Sequence, residues 1–228
     1  MQHLYIIGTP IGNLEDITLR ALRILKEVDF VLCEDTRVTR KLLDKYEIET
    51  PTISYHSFSG KIKTDKILEL LEEGKDLALV SDAGTPTISD PGFMLVAQVK
   101  EKFGESVMVT PIPGPSALIS ALSVSGLPAD SFTFFGFLPR KKGKQTAINE
   151  ILELKRTAVF YESPHRILKT LETIKELSEE FEQNKKIVIG REITKMFEQI
   201  VSGTIEEVIK YFEDNSDKVK GEFVVMIN

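Results

Sequence analysis

The sequence predicts an α/β protein of two units, and three observations predict it. Apolar runs of strand length alternate with patterns of helical period, the order that builds a mostly parallel sheet. Loops rich in glycine, proline and carboxylates follow several of those runs, at the strand ends where open α/β sheets bind ligands. A proline-dense segment, Pro111-Ile112-Pro113-Gly114-Pro115, lies near the midpoint of the 228 residues and reads as a hinge. The expected division is residues 1–114 and 115–228, two α/β domains of ordinary size.

In the first unit, residues 4–7 form a buried strand closed by Gly8-Thr9-Pro10-Ile11-Gly12-Asn13, and Leu19, Leu22 and Leu25 mark the stripe of the following helix. The turn has Gly-x-x-x-Gly spacing with an inserted proline, which departs from a dinucleotide-binding fingerprint. Residues 30–33 are the second strand, followed by Glu34-Asp35-Thr36-Arg37 and a helical pattern through Val38, Leu42 and Leu43. Residues 52–55 make a short strand leading to His56, and the helix over residues 64–73 stops at Gly74, a C-terminal cap. Leu77-Ala78-Leu79-Val80 has the length of a buried parallel strand; residues 93–103 are helical and residues 107–109 form another strand.

In the second unit, a helix over residues 116–125 starts at Ser116, which can cap it or leave its amides open to an anion. Residues 132–137 are a strand, and Ile148, Ile151 and Leu152 mark a helix. A strand at 159–161 ends in Glu162-Ser163-Pro164-His165-Arg166, ahead of a helix through Ile167, Leu168, Leu171 and Ile174. The strand at 187–189 leads into Gly190-Arg191-Glu192-Ile193-Thr194-Lys195. Thr204-Ile205-Glu206-Glu207 is a capping box for the last helix, and residues 223–227 close the chain as a strand.

Composition bounds the function. Hydrophobic residues at 42% and charged residues at 28% are those of a soluble globular protein. The single cysteine, Cys33, excludes an intramolecular disulfide and lies in an apolar run, as a buried thiol would. The start lacks a basic region leading into an apolar core, and no stretch reaches ~18 uninterrupted apolar residues, so a cytoplasmic location without membrane contact is expected. A net charge of −6 argues against a general nucleic-acid coat. Residues 131–149 nevertheless contain no acidic side chain and gather Arg140, Lys141, Lys142 and Lys144, either a local basic face or a solvated loop.

The three histidines and one cysteine have no zinc-ligand spacing, and neither a phosphate-binding loop nor a Gly-x-Ser-x-Gly elbow occurs. Metal catalysis, nucleotide hydrolysis and serine hydrolysis are set aside. The segment Ser81-Asp82-Ala83-Gly84-Thr85-Pro86-Thr87-Ile88-Ser89-Asp90-Pro91-Gly92 is the strongest ligand-binding candidate. Small residues, prolines and carboxylates make a stiff loop whose backbone can approach a polar ligand closely. The competing reading is a strand-to-helix turn in which Asp90 caps the next helix.

Six motifs, in order along essentially the whole chain, closely resemble the bacterial ribosomal RNA small subunit methyltransferase I family of the tetrapyrrole methylase superfamily. They are Gly8-Thr9-Pro10-Ile11-Gly12-Asn13, Cys33-Glu34-Asp35-Thr36-Arg37, residues 81–92, Pro113-Gly114-Pro115-Ser116-Ala117, Tyr161-Glu162-Ser163-Pro164-His165-Arg166 and Arg191-Glu192-Ile193-Thr194-Lys195. His56-Ser57-Phe58-Ser59 departs from the family pattern. The resemblance implies two α/β domains, the second with a mixed sheet, S-adenosylmethionine in a cleft between them, and a homodimer. It implies 2′-O-methylation of a cytidine ribose in the decoding region of small-subunit ribosomal RNA. It also implies that Pro10, Asp82, Gly84, Thr85, Ser116, Ala117, Tyr161, Glu162, Gly221 and Glu222 hold the cofactor; the loops agree with the residue-level reading, which gave no reason to choose Gly221.

A methyl sulfonium is already activated, so such an enzyme must mainly align a hydroxyl with the methyl group and accept or shed a proton. No metal is needed. Asp35, Glu192 and Lys195 are the candidate catalytic residues, Lys195 as a base if burial or neighbouring cations depress its pKa. Arg37, Arg140, Lys141, Lys142, Lys144, Arg166 and Arg191 are the candidate RNA-binding residues. Structural ion pairing is the competing role for these charges. Two other functions compete as well: a methyltransferase of this fold acting on a tetrapyrrole or a modified protein histidine, and a non-catalytic RNA-binding assembly module.

Overall fold

Apolar runs become strands here wherever both of their faces are covered. The computed structural model describes residues 1–56, 60–90, 92–179 and 185–228, and the chain divides into two units, Met1–Ser116 and Ala117–Asn228. In the first, strands β1 (Gln2–Ile7), β2 (Phe30–Cys33), β3 (Thr52–Ser54), β4 (Leu77–Val80) and β5 (Val107–Ile112) form one sheet in the order β3-β2-β4-β1-β5. Every pairing in it is parallel. Helices α1 (Leu19–Glu27), α2 (Thr36–Lys45), α3 (Lys61–Glu72) and α4 (Phe93–Phe103) make the connections. The chain steps outward from β1 to β3 and then back to β5, and with right-handed crossovers this reversal moves the later helices to the opposite face. The two cores bear this out: Ile7, Val31 and Val80 pack with Ala21, Leu25 and Leu43 of α1 and α2, while Leu4, Leu32 and Leu79 pack with Ile67, Leu71, Leu95 and Val99 of α3 and α4.

Three expectations for this unit are corrected. Leu19 is not on the buried stripe of α1: it is 86% exposed, and Ala21, Ile24 and Leu25 are buried instead. Thr18 caps the helix by accepting from the Ala21 amide at 3.1 Å, so Leu19 begins the first turn on the solvent side. Asp90 does not cap α4; its Oδ1 accepts from the Thr87 and Gly92 amides at 3.1 and 2.7 Å and closes the loop on itself. Pro111 and Ile112 belong to β5 rather than to a hinge, paired with Ile6 and Ile7. A sheet tolerates proline at an edge strand, and β5 is one. Gly74, with φ of 86°, follows α3 as expected of a glycine terminator. Cys33 is fully buried.

The second unit begins with α5 (Ala117–Ser125) and holds strands β6 (Phe132–Phe137), β7 (Thr157–Glu162), β8 (Ile187–Arg191), β9 (Gln199–Gly203) and β10 (Phe223–Ile227). Their order is β6-β7-β10-β8-β9, with β6 and β7 parallel and every other neighbour antiparallel, a mixed sheet. Helices α6 (Lys144–Glu153), α7 (Ile167–Ser178) and α8 (Ile205–Asp214) cover one face through Ile151, Leu171, Val208 and Phe212 against Phe160, Ile189 and Val225. On the other face α5 packs Leu118, Ala121 and Leu122 against Val159, Val188, Val224 and Met226. Thr204 and Glu207 form the full capping box of α8. The strand β9 was not foreseen: Gln-Ile-Val-Ser-Gly buries only Val201, and as an edge strand it needs no more.

The first unit has one close backbone crossing. A Cβ on Gly114 would stand 2.7 Å from the Gly8 carbonyl oxygen, and one on Gly8 would stand 2.9 Å from Gly114 Cα. Backbone cannot yield as a flexible side chain can. Gly114→Ala is therefore expected to destabilise the protein by about 1–3 kcal/mol, the cost of overpacking, read as a lower denaturant midpoint at unchanged m-value.

Candidate functional site

In the first unit, the loops after β1 and β4 are joined by backbone pairing. Thr9 N donates to the Gly84 carbonyl at 2.9 Å and Gly84 N to the Thr9 carbonyl at 3.0 Å. The Thr9 hydroxyl adds a bond to the Ser81 carbonyl at 2.9 Å, and Thr85 Oγ1 donates to the Pro115 carbonyl at 3.4 Å. Pro10 is buried beside this pairing. Gly84 (φ 82°), Thr87 (φ 77°) and Ser89 (φ 55°) all take left-handed backbone, so two non-glycine residues are strained in one loop, a concentration typical of functional segments. Gly84 itself serves the stitch: its amide and carbonyl are spent on Thr9.

Beside the loop lies an open recess of about 450 Å³ lined by Glu34, Asp35, Thr36, Arg37, Ser54, His56 and Asp82. Asp35 ends β2 and caps α2 through the Arg37 amide at 2.8 Å, and its own amide donates to Asp82 Oδ1 at 3.0 Å. The Arg37 guanidinium forks onto both Asp35 oxygens, at 2.6 Å for the shortest bond. The Arg37 side-chain hydrogen bonds, then the Arg37 amide, hold the Asp35 carboxyl down to about 2. So weak a base is a poor proton acceptor. Burial, then the carboxylates of Asp82 and Asp90, push Glu34 above the usual carboxylate value. Glu34, His56 and Ser54 were not singled out from the sequence, although Glu34 stands immediately after a strand, the position that brought Asp35 forward. Residues 57–59 of the atypical segment lie outside the described residues.

In the second unit the charges are tied more tightly than their positions in sequence suggested. The Glu162 side chain is fully buried and accepts from Arg166 Nε at 2.7 Å, Thr170 Oγ1 at 2.7 Å and the Ser163 amide at 2.8 Å. Arg166 continues to the Leu138 carbonyl with two bonds of 3.1 Å. Lys144, the first residue of α6, donates to Thr170 Oγ1 at 3.0 Å, and burial lowers its pKa. Glu162 and Arg166 thus form one network joining β7, α7 and the end of β6, with Lys144 bracing α6 to it. This corrects two expectations: the Glu162 carboxylate is committed to Arg166, and neither Arg166 nor Lys144 is a free RNA-binding cation. Arg140, Lys141 and Lys142 stay exposed between the two anchors, Leu138 and Lys144.

Arg191 is corrected likewise. It is buried, with Nε donating to the Lys220 carbonyl at 2.9 Å and a terminal nitrogen to the Phe197 carbonyl at 3.1 Å, and so clamps the loop after β8. That loop brings Glu192, Lys195 and Glu222 together: Lys195 Nζ donates to Glu192 Oε1 at 2.8 Å and to Glu222 Oε2 at 2.9 Å. Burial pulls the Lys195 ammonium down, but hydrogen bonds to the two carboxylates more than reverse this and raise its pKa. A depressed pKa, the condition for Lys195 to act as a base, is the opposite of what this setting produces. Gly221 and Glu222 precede β10, a strand inside its sheet rather than at an edge. Tyr161, on β7, rests against Phe134 and Phe137 with ring centroids 5.0 and 5.5 Å away. Burial raises the pKa of its hydroxyl. Ser116 and Ala117 are half-buried where α5 begins.

A parallel sheet followed by a mixed one, with a stitched glycine-proline loop in the first, defines the class. The cobalamin biosynthetic enzyme cobalt precorrin-4 methyltransferase shares this fold with a TM-score of 0.70 at 18% identity, covering 98% of this chain and 94% of that one. Diphthine synthase does so with a TM-score of 0.74 at 14% identity, covering 99% and 89%. The profile of the Tetrapyrrole (Corrin/Porphyrin) Methylases matches residues 3–209. Among proteins, "Ribosomal RNA small subunit methyltransferase I" of Thermotoga maritima is 46% identical over 228 residues, covering 100% of this chain and 99% of that one. The protein of the same name from Bacillus subtilis is 44% identical over 225 residues, covering 98% of this chain and 74% of its own. The chain belongs to the tetrapyrrole methylase family, in the ribosomal RNA small subunit methyltransferase I branch.

Two predictions follow from the charges. Glu162→Gln leaves Arg166 with a weakened partner in a buried setting, and a loss approaching the 3–5 kcal/mol of a broken buried pair is expected, measured by denaturant unfolding. Asp35 should titrate with a midpoint of about 2 in the folded protein, read from its carboxyl carbon by NMR. Its depressed folded pKa adds stability above the unfolded value of about 3.9. That contribution is lost only as pH falls from there through about 2, and a midpoint near the unfolded value would show that the Arg37 fork does not form in solution.

Proposed function

We propose that this protein transfers a methyl group from S-adenosylmethionine to the 2′-oxygen of a cytidine ribose in the decoding region of small-subunit ribosomal RNA, in the cytoplasm and as a homodimer. The single observation that carries this reading is the 46% identity to the Thermotoga maritima methyltransferase over the full length of both chains. Likeness to the tetrapyrrole enzymes, at 14–18% identity, speaks for the fold alone. Among the described residues no helix is long and apolar enough to cross a membrane.

The residues of the first unit fit such a donor. The sulfonium carries a positive charge and the nucleoside carries ribose hydroxyls, and the recess offers the carboxylates of Glu34, Asp35 and Asp82 to both. Pro10, Asp82, Gly84 and Thr85 are assigned here as the cofactor loop, with Gly84 acting through its pairing to Thr9. When bound, S-adenosylmethionine supplies an activated methyl group. The chain's own work is to hold the acceptor hydroxyl in line with it, and alignment alone can be worth ~7–11 kcal/mol of barrier. Arg37, 87% exposed and already oriented by Asp35, is placed to take an RNA phosphate. Arg140, Lys141 and Lys142 form a second phosphate-binding tract, held out between the Leu138 and Lys144 anchors.

Incubating the protein with small subunits and an isotope-labelled methyl donor, then mapping the RNA by mass, tests the reading. A label on one cytidine ribose is expected; a label on a base, or methylation of uroporphyrinogen instead, would overturn it. Replacing Arg140, Lys141 and Lys142 together by glutamine should weaken RNA binding and flatten its salt dependence by about 0.7–0.9 in log–log slope per lost phosphate contact. Lys144→Gln should instead lower stability and leave that slope unchanged.

A further inference from the structure

The Glu192, Lys195 and Glu222 cluster is built against backbone preference. Glu192 (φ 49°) and Thr194 (φ 68°) both hold left-handed backbone, at roughly 1–3 kcal/mol each. Gly221, at φ 87°, makes room for Glu192, because a Cβ there would overlap the Glu192 carboxyl group. The backbone is locked on both sides: Glu192 N donates to the Glu222 carbonyl at 3.0 Å, and Lys195 N to the Glu192 carbonyl at 3.0 Å. Glu192 Oε1 accepts from the Glu222 amide at 2.9 Å as well as from Lys195 Nζ. This single oxygen fixes where the ammonium sits. Lys195 spends two of its three N–H groups on Glu192 and Glu222, which leaves one to aim outward from a side chain 29% exposed.

We infer that Glu192 is the positioning residue for Lys195, fixing it as an aimed cation whose remaining N–H stabilises charge on the acceptor oxygen during methyl transfer. The inference rests on the ribose-methylation reading above. In that step the ribose oxygen bonds to the methyl carbon while the carbon–sulfur bond breaks, its electron pair going to sulfur. The hydroxyl proton passes to solvent water, since an ammonium held between two carboxylates has no lone pair with which to accept it. The groups facing Lys195 are Glu192 from its own loop and Glu222 from the entry to β10, with Arg191 acting on Glu192. The raised pKa of Lys195 agrees with this geometry. Such a cation is present below its folded pKa and lost as pH rises through it, so a rate that depends on it should fall on the alkaline side.

The test joins two readouts. Titration of isotope-labelled lysine by NMR should show the Lys195 midpoint moving down in Glu192→Gln and, by less, in Glu222→Gln. The second variant keeps the test open should the first fail to fold, because the Glu222 side chain is 78% exposed. The alkaline limb of the single-turnover methylation rate should move down with the midpoint. Lys195→Met should lose ~10²-fold or more, as when one donor to a developing oxyanion is removed. Lys195→Arg, which keeps the charge, should retain most of the rate. Arginine as inactive as methionine, or a Lys195 midpoint unmoved in both folded glutamine variants, would overturn the inference. Should the unaltered protein methylate no RNA while Glu192→Gln still lowers the midpoint, the ribose reading falls and the positioning of Lys195 by Glu192 stands.

Discussion

The first unit depends on a two-bond backbone pairing, Thr9 with Gly84, at 2.9 and 3.0 Å. Strands β4, β1 and β5 are neighbours, so the loops leaving their carboxyl ends crowd one place. Loops in such a place need their backbone groups satisfied and their paths fixed before a ligand can be held. Thr9 and Gly84 satisfy each other, the Gly8 and Gly114 backbones touch because neither carries a side chain, and Thr85 ties the region to Pro115. The strained residues Thr87 and Ser89 persist because the surrounding bonds, including the two accepted by Asp90, leave them no alternative.

Charge in this chain serves two purposes that burial separates. Glu162, Arg166 and Arg191 are sequestered, and each spends its hydrogen bonds on protein: an ion pair, a strand-end carbonyl, the carbonyls at Phe197 and Lys220. Desolvating such groups costs several kcal/mol apiece unless every bond is made, so they tolerate no second duty. Arg37, Arg140, Lys141 and Lys142 lie outside, where holding a side chain in place is the problem rather than its solvation. For Arg37 the solution is the Asp35 fork; for the basic tract it is the pair of anchored ends. Lys195 stands between these regimes, partly buried and doubly paired, with one donor left.

Much of this fold was legible in the residues. The strands Phe30–Cys33, Leu77–Val80, Phe132–Phe137 and Phe223–Ile227 and the helix Phe93–Phe103 end where expected, because apolar runs bounded by glycine, charge or proline leave little choice. Boundaries failed where a neighbour decides the outcome: Pro111 is a strand residue only because β5 is at an edge, and β9 exists because β8 offers it an unpaired side. The candidate site divides in the same way. Loops carrying Asp82 and Asp35 could be placed from strand ends alone. The partners of Glu162, Arg166, Lys144 and Arg191 could not, since Leu138 and Lys220 reach them only through the folded sheet. Lys195 was legible as a functional candidate and misread as a base, for its two carboxylates lie three and 27 positions away and only the second sheet brings them together.

The position of Pro111 has a consequence for how copies of this chain can associate. Ile112 turns its carbonyl toward Gly8 of the neighbouring segment, so Pro111, one residue earlier, turns its missing N–H outward along the rim of the first sheet. A rim strand lacking that donor offers an incomplete template to an incoming strand, the device by which β proteins discourage runaway stacking. Continuous-sheet assembly is thereby disfavoured on this side, and any ordered pairing of two copies has to be made by side chains rather than by extending the hydrogen-bonded ladder beyond β5.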